Sequence, residues 1–169
     1  VLADHKTDDA PMNMPPVRIV VSSPQLKSIE LSGSGDVDIK DSVALGDLSL
    51  LLRGSGDIDI EYLDCSSVKA VVSGSGDIKI DHVECAGDAV CDLTGSGDIN
   101  VDVVSDNVNV TVSGSGDADL TVDCDVINAK AIGTGNMKLV GTAKVLNKHS
   151  SGLASIDTKK LEVEQINLK

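Results

Sequence analysis

Gly74-Ser75-Gly76-Asp77-Ile78-Lys79-Ile80 decides the fold of this chain, because the same pattern recurs at a nearly fixed spacing. Its first glycines lie 19 to 21 residues apart. Full copies begin at Gly33, Gly54, Gly95 and Gly114, a looser copy begins at Gly133, and Ser151–Ile156 resembles a worn last copy. Self-similarity at a fixed period is the signature of a repeat architecture in which each unit stacks on its neighbours.

Apolar and polar residues alternate on both sides of each copy, which is typical of strands with one buried face. A coil of about 20 residues cannot bury its own apolar side, so the coils must stack. The pattern predicts an all-β fold, a single-stranded parallel β-helix with about 20 residues per coil, right-handed by the general crossover preference. A β-sandwich or another antiparallel meander is the alternative, because glycine-rich turns also join hairpins. The expected inward column contains Leu50, Ile58, Ile60, Val72, Ile78, Ile80, Val110 and Val112.

The first part of the chain differs in composition from the repeats. Residues 1–16 contain acids and three prolines without apolar alternation. We therefore expect a flexible leader or linker over 1–16 and a β-helix domain over 17–169, with a first strand over Val17–Val21. A last strand is expected to close the apolar column with Leu161, Val163, Ile166 and Leu168. The sequence shows no signal-peptide core and no bilayer-length apolar segment, so any signal sequence is expected to have been removed.

Charge and aromatic content exclude some partners. The chain has 27 acidic and 14 basic residues, a formal net charge of −13, and Tyr62 is its one aromatic residue. Such an acidic chain does not attract phosphates, so nucleic acid and anionic membrane surfaces are not expected partners. The scarcity of aromatic rings also removes stacking platforms for bases and sugars.

The fourth residue of the repeated pattern is acidic in five copies, and two interpretations stay open. The carboxylates could accept backbone N–H groups in their tight turns, where glycine would supply positive φ. They could also bind cations weakly, as stacked acidic turns in other β-rolls do. We expect no dedicated metal site, and the weak cation candidates are Asp36, Asp57, Asp77, Asp98 and Asp117.

The four cysteines allow several arrangements. Cys65 and Cys85 each lie 11 residues after the first glycine of their copies, so they should stack on adjacent coils and are candidates for a disulfide. Cys85 and Cys91 could instead bridge one corner, and Cys91 also has the inward parity of a buried, inert thiol. The even number of cysteines permits an oxidising compartment.

No catalytic constellation stands out. His5, His82 and His149 share no spacing with each other or with the cysteines, and the two arginines are Arg18 and Arg53. We therefore predict no catalytic residue and no cofactor. One outward feature is unusual, because Leu51, Val71 and Val90 have solvent-facing parity on three neighbouring coils. These three side chains are a candidate contact patch.

Leu26-Lys27-Ser28-Ile29-Glu30-Leu31-Ser32-Gly33-Ser34-Gly35-Asp36-Val37 and the later copies resemble the autotransporter adhesin head GIN domain family (domain of unknown function 2807). The resemblance covers residues 26–156. It implies a right-handed parallel β-helix similar in shape to pectin lyases but without their catalytic residues. It also implies a bacterial envelope protein, periplasmic, surface-exposed or secreted, with a role in adhesion.

Three functions are therefore weighed for the chain. The first is a non-enzymatic, adhesin-like module that binds a surface protein or a glycan, with homo-oligomers allowed by the patch. The second is a carbohydrate-active β-helix enzyme. A groove lined with convergent acidic and basic side chains would favour this function. The third is a structural spacer in the envelope, because a solenoid presents similar chemistry along every coil.

Overall fold

The computed structural model describes residues 2–5, 17–20 and 25–168 of the chain. These residues form a parallel β-solenoid of about seven turns, which confirms the predicted fold class. No helix in the described ranges has the length and hydropathy needed to span a membrane. The strands are β1 Leu2–His5, β2 Val17–Val20, β3 Ser28–Leu31, β4 Asp36–Ile39, β5 Val43–Ala44, β6 Asp47–Leu52, β7 Ile58–Ile60, β8 Leu63–Cys65, β9 Ser67–Val72, β10 Ile78–Cys85, β11 Asp88–Leu93, β12 Ile99–Val112, β13 Ala118–Gly133, β14 Asn136–Gly152 and β15 Ser155–Leu168.

The strands pair in register as three parallel ladders. Ladder A contains β4, β7 and the first residues of β10, β12, β13, β14 and β15. Ladder B contains β5, β8 and the middle parts of the longer strands. Ladder C contains β3, β6, β9, β11 and the last parts of β12 to β15. Each of the longer strands β12 to β15 thus contributes one segment to every ladder in turn.

Aliphatic side chains from all three ladders pack into one core. Leu50 and Ile78 are fully buried, and Val110 is 1% exposed. All eight residues of the expected inward column lie in this core, so the alternation identified the buried face correctly. Burial of aliphatic surface on neighbouring coils is what stabilises the stack.

The start of the chain departs from the expected leader. Leu2–His5 forms β1, which pairs antiparallel with β2 on one side and with β4 on the other. Residues 2–5 of the expected leader thus form a strand, and the division into a leader and a β-helix domain stays a prediction. The remaining residues of the expected leader and Val21 lie outside the described residues. The physical reason is that the edge of β4 presents unpaired backbone groups, which an antiparallel strand satisfies.

The last coil departs from expectation as well. Leu161 is buried, but Ile166 is 53% exposed and Leu168 is 75% exposed. Ile166 has inward parity, since it pairs with the buried Leu146. Among the described residues no further coil packs over it, so the expectation that Ile166 and Leu168 close the column is wrong.

Glycine at the repeated corner has a different role from the one expected. Gly76 does not have positive φ, which among the motif glycines occurs at Gly33 and Gly133. Instead, a Cβ on Gly76 would overlap the carbonyl oxygen of Gly56 on the preceding coil, at less than 3.0 Å. Close approach of two backbones, rather than a left-handed conformation, therefore requires glycine here.

Candidate functional site

The outward face of ladder C carries two neighbouring columns of side chains, one residue per coil in each. We call them the amide column and the mixed column. The amide column contains Ser28, Ser49, Lys69, Val90, Asn109, Asn128, Asn147 and Asn167. The mixed column contains Glu30, Leu51, Val71, Asp92, Thr111, Lys130 and His149.

The predicted contact patch is split between these columns. Leu51 and Val71 are direct partners in the mixed column. Val90 belongs to the amide column, where it lies opposite Lys69 and Asn109. All three side chains are partly exposed. The structure thus brings Leu51 and Val71 together and places Val90 diagonally beside Val71. The alternation in the sequence predicts which face a side chain is on, but it does not predict which residues of neighbouring coils pair.

Ion pairs flank the apolar pair. Arg53 Nη1 lies 3.0 Å from Glu30 Oε1, with both side chains more than half exposed. Lys69 Nζ lies 4.0 Å from an Asp92 carboxylate oxygen on the other side. Exposed pairs of this kind contribute little to stability. The four charged side chains lie around Leu51 and Val71 and form a polar rim that a partner can contact.

The other half of the same face is an asparagine ladder. Asn128 Nδ2 donates to Asn109 Oδ1, Asn147 Nδ2 to Asn128 Oδ1, and Asn167 Nδ2 to Asn147 Oδ1, each at 2.8 Å. A groove of about 240 Å³ runs between these amides and Thr111, Lys130 and His149. This ladder was not predicted, although four asparagines at spacings of 19, 19 and 20 residues indicate it.

The repeated aspartates form a ladder of a different kind. Each carboxylate accepts a hydrogen bond from the backbone N–H of the corresponding residue one coil later. The donor–acceptor distances are 3.1 Å for Asp57 N to Asp36 Oδ1, 2.9 Å for Asp77 to Asp57, 2.8 Å for Asp98 to Asp77, 2.8 Å for Asp117 to Asp98 and 2.7 Å for Asn136 to Asp117. The expectation was that each carboxylate accepts N–H groups of its own turn. The donors lie in the next coil instead.

No cluster of histidine, cysteine and acidic side chains that could bind a metal occurs among the residues that the structure describes. In the aspartate ladder one carboxylate oxygen of each member is already occupied by an amide proton. Cation binding there stays a prediction, and the ladder's structural role is to link successive coils.

Two of the four cysteines lie against each other. Cys65 and Cys85 are partners on ladder B, as the spacing predicted, and their Sγ atoms are 2.8 Å apart as free thiols. The hydrogen bond between them lowers the pKa of Cys85, whereas the same bond and burial raise the pKa of Cys65. Burial also raises the pKa of Cys91 to about 12, and that of Cys124 to about 11. The disulfide between Cys65 and Cys85 stays a prediction, with Cys85 the thiol that ionises first.

The histidines are dispersed. His82 stacks on Tyr62 with ring centroids 5.3 Å apart, and its Nε2 lies 3.5 Å from Glu84 Oε1. His149 lies in the mixed column of ladder C, and the side chain of His5 is outside the described part of the chain. The two described histidines therefore occupy different surfaces. The contacts of His82 with an aromatic ring and a carboxylate serve to hold its own ring in place.

A surface groove lies on ladder B near the last coil. It measures about 440 Å³ and is lined by Asp123, Asp125, Glu162 and Glu164 around Lys144. Thr142 Oγ1 donates to Asp123 Oδ1 at 2.7 Å, and the hydrogen bond to Asp125 raises the pKa of Lys144. Asp123 and Asp125 are thus engaged with side chains on the next coil. Glu162 pairs with Thr142 of β14, which the sequence did not predict. The reason is that β15 has one extra residue after Asp157, which shifts the pairing of the residues that follow.

The repeats have a counterpart among known protein families. The family described as "Putative auto-transporter adhesin, head GIN domain" matches residues 4–102 and 89–169. The chain belongs to this family, as the resemblance of its repeats predicted. No curated protein and no solved structure matches the chain.

Proposed function

We propose that the chain is a non-enzymatic, adhesin-like binding module of the bacterial cell envelope, and that it binds a partner protein along the outward face of ladder C. Membership of a family described by an adhesin head supports the general role. The observation that carries the proposal is the pair Leu51 and Val71, two aliphatic side chains stacked in register on a solvent-facing column.

The chemistry of the face favours a protein over a glycan. Glycan sites commonly use aromatic rings, and the ring of Tyr62 is already stacked on His82 away from ladder C. Leu51 and Val71 offer an apolar centre, and the Arg53–Glu30 pair offers a charged rim. An apolar centre with a polar rim is the usual anatomy of a protein–protein contact.

The face is also long enough for an extended contact. The groove beside Asn109, Asn128 and Asn147 continues the same columns beyond the apolar pair. A solenoid adds similar side chains at every coil, so an extended segment can contact several coils at once. This geometry suits adhesion, in which many weak contacts act together.

The test compares two double variants with the same added charge on an array of purified extracellular-matrix proteins and glycans. Leu51→Glu with Val71→Glu places two carboxylates at the proposed centre. Asn100→Glu with Thr121→Glu adds two carboxylates to exposed positions away from ladder C. We expect the first variant to lose protein binding by at least about tenfold, as at the centre of an interface, and the second to bind like the parent.

Three results would contradict the proposal. Equal binding by both double variants would show that the partner does not bind at Leu51 and Val71 on ladder C. Binding of the parent to glycans alone would exclude the protein partner. Steady release of fragments from any polysaccharide by the parent would exclude the non-enzymatic role. Circular dichroism of both variants checks that the fold is kept, which is expected because all four side chains point outward.

A further inference from the structure

Two buried thiols in the inward column of ladder B lie against each other. Cys65 and Cys85 are partners on adjacent coils, and their Sγ atoms are 2.8 Å apart. Neighbouring strands are about 4.8 Å apart, which falls within the Cα separation of about 4.4–6.8 Å that a disulfide can bridge. The two sulfur atoms can therefore form a bond by rotation of their side chains, without separation of the coils.

The other two thiols have different neighbours. Cys124 lies in the same column of ladder B, where its partners are Ser105 and Ala143. Cys91 lies on ladder C, where it pairs with Ala70. Burial raises the pKa of both thiols, so they stay protonated at neutral pH and react slowly with oxidants. Oxidation is thus favoured at the pair on ladder B, where a second thiol is within reach.

The two members of the pair are not equivalent. Cys85 is 7% exposed and Cys65 is 3% exposed. The hydrogen bond from the Cys65 thiol lowers the pKa of Cys85; burial opposes this shift, and a hydrogen bond from the backbone N–H of Val68 adds to it. The thiolate is the form of cysteine that oxidants attack. Cys85 should therefore react first, and its small exposed fraction favours an oxidant as small as hydrogen peroxide.

We propose that Cys65 and Cys85 form a redox site, at which a small peroxide oxidises Cys85 and Cys65 then closes a disulfide between two coils. In the first step the Cys85 sulfur attacks a peroxide oxygen and the O–O bond breaks. The leaving hydroxide takes up the proton that the Cys85 thiol released, and water and a sulfenic acid result.

In the second step the Cys65 sulfur attacks the Cys85 sulfur, and the S–O bond of the sulfenic acid breaks. The leaving hydroxide takes the proton of the Cys65 thiol and becomes the second water. Two thiols and one peroxide thus give one disulfide and two waters. A dithiol reductant reverses the change by thiol–disulfide exchange.

The disulfide closes one coil of the solenoid into a covalent ring. Residues 65–85 pass once through ladder C, the repeated corner, ladder A and ladder B. A cross-link over a loop of this length stabilises a fold mainly by restricting its unfolded chain. The outward columns of ladder C are not involved, so the inference is independent of the function proposed above.

The test oxidises the fully reduced chain with a small excess of hydrogen peroxide and follows its mass. The parent should lose the mass of two hydrogen atoms, and peptide mapping should place the disulfide between Cys65 and Cys85. The melting midpoint should rise by at least about 5 °C above that of the reduced parent. A dithiol reductant should reverse both changes.

Serine variants separate the roles of the two thiols. Cys65→Ser removes the second thiol, so the sulfenic acid of Cys85 should accumulate and be labelled by dimedone. Cys85→Ser should give no label at Cys65. Cys124→Ser is the matched control in the same column and should form the disulfide as the parent does. Serine is compatible with this column, because Ser105 already occupies a buried position in it.

Three results would overturn the proposal. The first is a parent that keeps both thiols after treatment with peroxide, and the second is a disulfide that includes Cys91 or Cys124. The third is equal labelling of Cys65 in Cys85→Ser and of Cys85 in Cys65→Ser, which would contradict the order of the two steps. Circular dichroism checks that each variant keeps its fold, and the measurements on the parent do not depend on the variants.

Discussion

The two corners that flank ladder C follow opposite rules. The corner between ladders C and A repeats Gly-Ser-Gly-Asp on coil after coil. The corner between ladders B and C accepts almost anything, and its equivalent positions hold Gly46, Ser66, Gly87, Asp106, Asp125, Lys144 and Glu164. Both corners turn the same chain through the same stack, so turning alone does not require the repeat.

The difference lies in how closely successive coils approach. At the repeated corner, the N–H groups of Ser75 and Gly76 both donate to the carbonyl of Gly54, at 2.9 and 3.1 Å. At the variable corner, the N–H of Asp106 donates to the carbonyl of Gly87 at 3.2 Å, and a Cβ on Gly87 would lie 3.0 Å from the carbonyl oxygen of Ser66, against 2.0 Å from that of Gly56 for a Cβ on Gly76. The repeated sequence is therefore imposed by backbone contact between coils.

Alanine substitution at the two corners should produce the largest contrast. Gly76→Ala places a Cβ into the carbonyl oxygen of Gly56, so coils must separate. We expect it to lower the free energy of unfolding by about 3 kcal/mol or more, the upper end for overpacking, with Gly76→Val worse. Gly87→Ala, whose Cβ would lie 3.0 Å from the carbonyl oxygen of Ser66, should lower it by about 1 kcal/mol, the lower end for overpacking. Urea denaturation of both variants measures the difference.

Equal destabilisation by the two alanines would show that the corners do not differ in the way proposed. A stable Gly76→Ala protein would show that the coils can move apart at this corner without loss. Either outcome would mean that the conformation of the turn, rather than contact between coils, requires the repeated sequence.

The aspartate of the repeated corner should matter less than its glycines. Asp77→Asn keeps the Oδ1 acceptor for the N–H of Asp98, and the chain already uses Asn136 at the equivalent position. It should therefore be tolerated. Asp77→Ala removes the acceptor, and because water can reach this exposed amide we expect a loss of about 1 kcal/mol, the usual net value of a hydrogen bond.

Calcium provides the control for this ladder. If the carboxylates serve to join coils, melting midpoints in millimolar Ca²⁺ and in a chelator should agree within about 2 °C for the parent and for Asp77→Asn. A large rise of the parent's midpoint in Ca²⁺ that Asp77→Asn abolishes would establish a cation site and contradict the purely structural role.

The contrast between corners also explains what sequence could predict. Strand alternation identified Leu50, Ile78 and Val110 as core, because parity follows from the chain alone. The role of Gly76 was misassigned, because the distance to Gly56 depends on how the coils stack. The pairing of residues between coils also depends on how the coils stack. Leu51 and Val71 are neighbours in one column, as the predicted patch required, but Val90 lies in the other column. The exposure of Ile166 was missed because it depends on a neighbouring coil, and the hand of the coil stays a prediction.

The smallest effect is expected at Asp59, two positions beyond the repeated corner. The outward column at this position contains Asp38, Asp59, Lys79, Asn100, Asp119, Lys138 and Asp157. Burial raises the pKa of the Asp59 carboxyl above its ordinary 3.8. The Lys79 ammonium opposes that shift, and the carboxylates of Asp38, Asp57 and Asp81 add to it. The folded state thus holds this proton more tightly than the unfolded chain does. Ionisation of Asp59 consequently costs stability, and the cost appears as the pH rises from 3.8 through the raised pKa.

Asp59→Asn should therefore raise Tm at pH 7, by no more than about 2 °C because the group is largely solvated. The gain should shrink as the pH falls below the ordinary carboxyl pKa, where Asp59 is neutral in both states. Asp119→Asn is the matched control in the same column, since Asp119 lies 3.6 Å from the Lys138 ammonium and its removal should give no gain. Calorimetry of both variants at pH 7 and pH 3 distinguishes the cases. A lower Tm for Asp59→Asn at pH 7, or an equal gain from Asp119→Asn, would mean that this column is as constrained as the corner beside it.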